Sequence, residues 1–145
     1  MEPDEQREYA KSLYGRVWTL LETANRTHDQ DDAMIHTAHA SRFHWGEVGG
    51  PEHRARGEWQ CSRVYSVLGR GEPAVHHARR CLEICEEHGI GDWDIAFAYE
   101  ALARGHAVAG DADEAERYKD LARTAGDAIA DEEDREIFEA DFATL

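Results

Sequence analysis

Residues 99 to 122 read YEALARGHAVAGDADEAERYKDLA. Two segments with small and apolar residues at helical spacing flank a Gly110-Asp111 turn, and the same plan stands 41 residues earlier and, more faintly, one step before that. Leu102 corresponds to Cys61 and Leu20, Ala115 to Ala74 and Ala33, and Ala122 to Cys81 and Ala40. Trp59 keeps this step from Trp18 and Gly110 keeps it from Gly69, with His28 in the corresponding earlier place. A fixed period of this size marks stacked supersecondary units, none of which buries its apolar face alone. The architecture to expect is a single all-α domain over residues 1–145. Helix pairs fall over about 9–45, 52–88 and 92–125, with a capping helix over about 127–145.

Local signals set the boundaries. Pro3 and Asp4 start a first helix that carries Tyr9, Leu13, Val17, Leu20, Leu21 and Ala24 at three-and-four spacing and extends to about Arg26. The polar break Thr27 to Gln30 precedes a second helix over about 31–44, which Gly46, Gly49, Gly50 and Pro51 end. The second pair runs over about 52–68 and 72–87 around Gly69-Arg70-Gly71, with Pro73 in the first turn, where its missing N–H costs little. Gly89 and Gly91 close that unit, Asp92 caps a fifth helix running to Ala109, and the sixth covers about 112–124. Beyond it Ile129, Ile137, Phe138, Phe142 and Leu145 share a helical face amid dense acid, and Asp131 to Asp134 read as a helix start.

The net charge is −15, and residues 111–145 alone carry 13 acidic and 4 basic groups. Such a field repels phosphate backbones and anionic lipid, which argues against nucleic-acid and membrane-surface partners. No apolar run approaches the ~18 residues of a membrane span and no basic start precedes an apolar stretch, so a soluble cytoplasmic protein is expected. Three cysteines, an odd number without an export signal, point to reduced thiols.

Tyr99, Leu102, Ala103, His106, Gly110-Asp111, Ala115, Lys119 and Ala122 resemble a tetratricopeptide repeat. The second unit keeps the pattern through Cys61, Ser62, Tyr65, Gly69, Ala74, Ala78 and Cys81, and the first through Val17, Leu20, Leu21, Ala24, Ala33 and Ala40. The step of 41 exceeds the common form of about 34 residues and is similar to the longer-helix variants of kinesin-light-chain-like and bacterial regulatory repeat proteins. The resemblance implies a right-handed superhelix whose first helices line a concave groove. On that geometry Trp18 and Glu22, Trp59 and Arg63, and Glu100 and Arg104 face the groove. Trp18 would stand beside Trp59, and Glu22 beside Arg63 and Arg104. Paired arginines hold a carboxylate or phosphate, and tryptophan faces stack on planar rings or cations. The same residues also suit an ion-pair ladder of Glu22, Arg63, Glu100 and Arg104, with the tryptophans packed between repeats.

Two sets of metal-ligand types occur. His36, His39 and His44 share one helix; Cys81, Cys85 and His88 stand at i, i+4 and i+7, with Cys61 expected across from Cys81. The plainer account makes these solvated histidines and small core cysteines. No GxSxG elbow, Gly-rich phosphate loop or paired-Asp motif is present, and His106 is expected between the helices of its pair. The sequence therefore points to a non-catalytic binding module without a resident cofactor, its groove holding a peptide or protein segment or a small anionic or aromatic ligand. The competing expectation is a small metal-dependent or acid–base enzyme using His36, His39, His44 and His77 with Glu22 or Glu100. A third is a homo-oligomer formed through exposed Trp45 and Trp93.

Overall fold

The computed structural model describes all 145 residues, which form seven α-helices and no strand. They are α1 (Pro3–Leu21), α2 (His28–Val48), α3 (Pro51–Val67), α4 (Gly71–His88), α5 (Asp92–Ala109), α6 (Ala112–Asp127) and α7 (Glu132–Phe142). The expected helices are all present, with shifted ends in the first pair. α1 stops at Leu21 rather than near Arg26, because Asn25 takes a left-handed φ of 55° and the Arg26 guanidinium turns back to the carbonyls of Leu20 and Thr23. α2 starts earlier, at His28, because Thr27 and Gln30 form a reciprocal capping box. It also runs through Gly46 and ends only at Gly49.

The helices pack chiefly as α1 with α2, α3 with α4 and α5 with α6; α2 meets α3, α4 meets α5, and α3 also touches α1 and α5. Gly69 and Gly110 follow α3 and α5 with φ of 74° and 85°, a conformation that favours glycine at a helix end. The core is rich in small residues: Ala74, Ala78, Ala96 and Ala98 are buried. At Gly71 an added Cβ would meet the Ala109 backbone at 2.5 Å, so α4 approaches α5 there as only glycine permits. Of the residues on the 41-residue step, Cys61, Leu102, Ala74, Cys81 and Ala122 are buried, whereas Leu20, Ala33, Ala40 and Ala115 are only partly so. The first unit has a neighbour on one side alone.

α7 is capped by Asp131, whose carboxylate accepts from the Asp134 N–H, as the acidic start suggested. Phe138, 2 % exposed, anchors it in a core with Ala96, Ala122 and Ile129. The ring lies over Gly126, where a Cβ would overlap it. No helix is long and apolar enough to cross a membrane.

Candidate functional site

Tyr14 and Trp18 lie one turn apart on α1, Arg56, Trp59 and Arg63 follow one another at helical spacing on α3, and Trp93, Asp94 and Phe97 do so on α5. Because α3 packs against both α1 and α5, these stripes converge on one cavity of about 630 Å³. Trp45 of α2 and His53 of α3 close one side; Ile137, Ala140 and Asp141 of α7 close another. All four tryptophans of the chain line this space. Trp18 and Trp59 lie 5.7 Å apart between centroids and tilted by 33°, and Phe97 meets Trp59 edge-on at 5.8 Å. Trp45 stacks on His53 at 4.2 Å, and the His53 Nδ1 accepts from the Gly50 N–H, which fixes the imidazole.

The charged groups are bonded to one another. Arg56 donates through Nε and Nη2 to the two carboxylate oxygens of Asp94 at 3.0 and 3.1 Å, and its guanidinium lies 4.4 Å from the Trp93 centroid. Arg63 donates through Nη1 and Nη2 to Asp141 at 3.1 and 2.5 Å and through Nη2 to Glu100 at 3.2 Å, while lying 5.0 Å from the Trp59 centroid. Glu100 is fully buried and also accepts from Arg104 Nε at 2.9 Å. Arg104 reaches on to the Asp141 carbonyl and the Thr144 hydroxyl, satisfying the end of α7. The hydrogen bond to Asp94 raises the Arg56 guanidinium pKa. Burial opposes the charge of Arg63, but Asp141 and Glu100 outweigh it and raise its pKa as well. Burial pushes the Glu100 carboxyl above the ordinary glutamate value despite Arg63 and Arg104, and pushes the Tyr14 phenol up to about 12, so that phenol stays protonated.

Of the residues expected in the groove, Trp18, Trp59 and Arg63 line the cavity, and the two rings stand together as the step required. Glu100 and Arg104 do not line it; they form the ion-pair network bonded to Arg63 and Asp141. Glu22 is the exposed C-cap of α1 and pairs with neither arginine. A ladder of ion pairs is thus present without Glu22 and with Asp141 in its place. Tyr14, Arg56, Asp94, Phe97 and Asp141 were missed. The first four sit one turn from a tryptophan or one turn from each other, a signal that was readable. For Asp141 no signal exists, since no repeat unit stands beyond the third to give its register.

The other expectations fare differently. Trp45 is 7 % exposed and Trp93 lies partly buried under Arg56, so neither forms the free aromatic surface expected for self-association. Cys61 packs with Val17 and Met34, whereas Cys81 and Cys85 belong to the core with Ala98 and Leu102. They do not face one another across a site, and no three His, Cys, Asp or Glu side chains are placed to hold a metal ion. His36 and His88 are exposed and His44 accepts from Gln6. His39 Nε2 lies 2.9 Å from the Tyr65 hydroxyl, and its pKa is lowered by burial and by His77. His77 bonds at 2.9 Å to Glu58, which also accepts from Arg42 at 2.7 Å. None of these five histidines lines the cavity, and the carboxylate partner is Glu58 rather than Glu22 or Glu100. His106 is buried and stacked on Tyr118 of the partner helix in its pair. Comparison of the chain with protein-family models, curated proteins and solved structures gave no match.

Proposed function

We propose that the chain is a non-catalytic binding module of tetratricopeptide-like helix pairs whose aromatic cavity holds a ligand. The observation that carries this reading is the convergence of every tryptophan, with Phe97 and Tyr14, on one space of about 630 Å³. Aromatic residues serving the core alone are packed to crystal-like density, whereas these rings border a void of the size that ligand sites occupy, roughly 300–1,000 Å³. Tryptophan is also among the residue types that dominate binding energy. An acid–base mechanism finds less support here, because each charged side chain at the cavity is bonded to an opposite charge. The buried free cysteines fit work in the reducing cytoplasm.

The test is a titration of tryptophan emission with N-phenyl-1-naphthylamine, an uncharged aromatic probe. Saturable one-to-one quenching is expected, weakened at least about tenfold, or ~1.4 kcal/mol, by Trp18→Ala and by Phe97→Ala with circular dichroism unchanged. Unaltered affinity in both variants would overturn the assignment.

A further inference from the structure

Resting on that reading, we infer that the ligand is an uncharged, flat aromatic or polycyclic small molecule, and that the two arginine–aspartate pairs in the cavity wall reject charged ones. Four tryptophans around one space would ordinarily suit an organic cation, which seats itself over an indole face within about 6 Å of the centroid. In this cavity the chain already fills three of those places, and Trp18 stands tilted against Trp59. Arg56 lies over Trp93 and Arg63 over Trp59, and Trp45 is covered by the His53 ring. Two arginines would ordinarily suit a carboxylate, gripped by two parallel N–H bonds. That grip is also taken, by Asp94 on Arg56 and by Asp141 on Arg63.

The four charges at the wall therefore cancel in pairs. A cation entering would lose its water with no free carboxylate to meet it. An anion would have to evict Asp94 or Asp141 and leave a carboxylate stranded beside apolar rings, where an unpaired charge is strongly disfavoured. A neutral ring system loses nothing of this kind and gains contact with Trp18, Trp59 and Phe97. The shape of the wall favours a compact molecule over an extended chain. α7 closes one side with Ile137 and Ala140 and is tied there by Arg63 and Arg104, so a strand or helix running along α1, α3 and α5 would meet it.

The experiment compares two probes on the full chain that share one ring system. N-phenyl-1-naphthylamine is neutral, and 1-anilinonaphthalene-8-sulfonate adds a fixed negative charge. The wild type is expected to bind the neutral probe at least about tenfold more tightly. Asp141→Asn, which frees one side of Arg63, is expected to erase or reverse that preference; Asp94→Asn does the same at Arg56 and serves if the first variant loosens α7. Equal or tighter binding of the sulfonate by the wild type would overturn the neutral-ligand inference, as would a preference unchanged in both variants. The cavity assignment would then still stand, provided Trp18→Ala weakened both probes. Failure of the neutral probe to bind saturably, or its indifference to Trp18→Ala, would sink the cavity assignment itself.

Discussion

Replacing Phe138 by alanine tests whether α7 is a built wall of the cavity. The ring packs at 5.1 Å edge-on to Phe97 and at 5.7 Å on Phe142, above the bare backbone of Gly126. Removing a buried phenylalanine from a core that cannot collapse costs about 3–5 kcal/mol. With about 2.1 cal/mol/K of unfolding entropy per residue, a chain of 145 residues loses roughly 10–16 °C in Tm for that cost. A short helix near the end of the structure has a second option, to let go. The loss is then limited to what docking supplied, so the lower figure, about 10 °C, is expected, together with loss of the α7 helical signal. Thermal and urea unfolding followed by circular dichroism measures both. Ile137→Ala on the same helix, where the side chain is 62 % exposed, should change Tm by less than about 2 °C. A fall of under about 3 °C for Phe138→Ala with helicity intact would refute the anchoring role given to this ring.

Stability should also fall on mild acidification. Burial and the neighbouring His77 keep His39 from charging in the fold, so the unfolded chain takes up that proton first, near pH 6.5. The stabilisation is full above this pH and declines as pH falls toward the lower folded value. Glu58 adds a further loss below about 4.5, because His77 and Arg42 hold its carboxyl down against the opposing effect of burial. Tm measured at about pH 7.5 and 5.5 should drop, and His39→Gln should flatten the dependence; an equal slope in the variant would show that His39 is not its source. Cys61 and Cys81 should resist Ellman's reagent in the native state, since burial pushes Cys61 up to about 12 and the hydrogen bond with Cys85, together with burial, raises Cys81. All three should react at once in concentrated urea, and rapid native labelling of Cys61 would contradict its place in the core.

The helices were legible because glycine, proline and cap residues punctuate them locally, and the 41-residue step then brings Trp18 to Trp59 without further information. Legibility fails where a position depends on an angle rather than a period. Gly46 reads as a stop, yet α2 continues through it because a glycine weakens a helix without forbidding one. The seat of α7 depends on how deeply Phe138 sinks over Gly126, which no spacing encodes, and so the partner of Arg63 was unreadable. Cys61 and Cys81 illustrate the same limit. Both occupy small-residue places in the repeat, but α3 turns one toward Val17 and Met34 while α4 turns the other into the core containing Ala98.

The bond from Arg63 to Asp141 joins residues 78 apart and passes over the whole third helix pair. Stacked units normally couple only to their neighbours, so either end can fray without disturbing the middle. This clasp closes α3 to α7 into a circuit. Loosening the C-terminal end breaks this bond to the second pair, whereas α1 and α2 stand outside the circuit, held chiefly by α3 through packing and bonds such as Arg42 to Glu58. Unravelling is thereby given a direction: it starts from the N-terminus, and amide protons of α1 should exchange before those of α5.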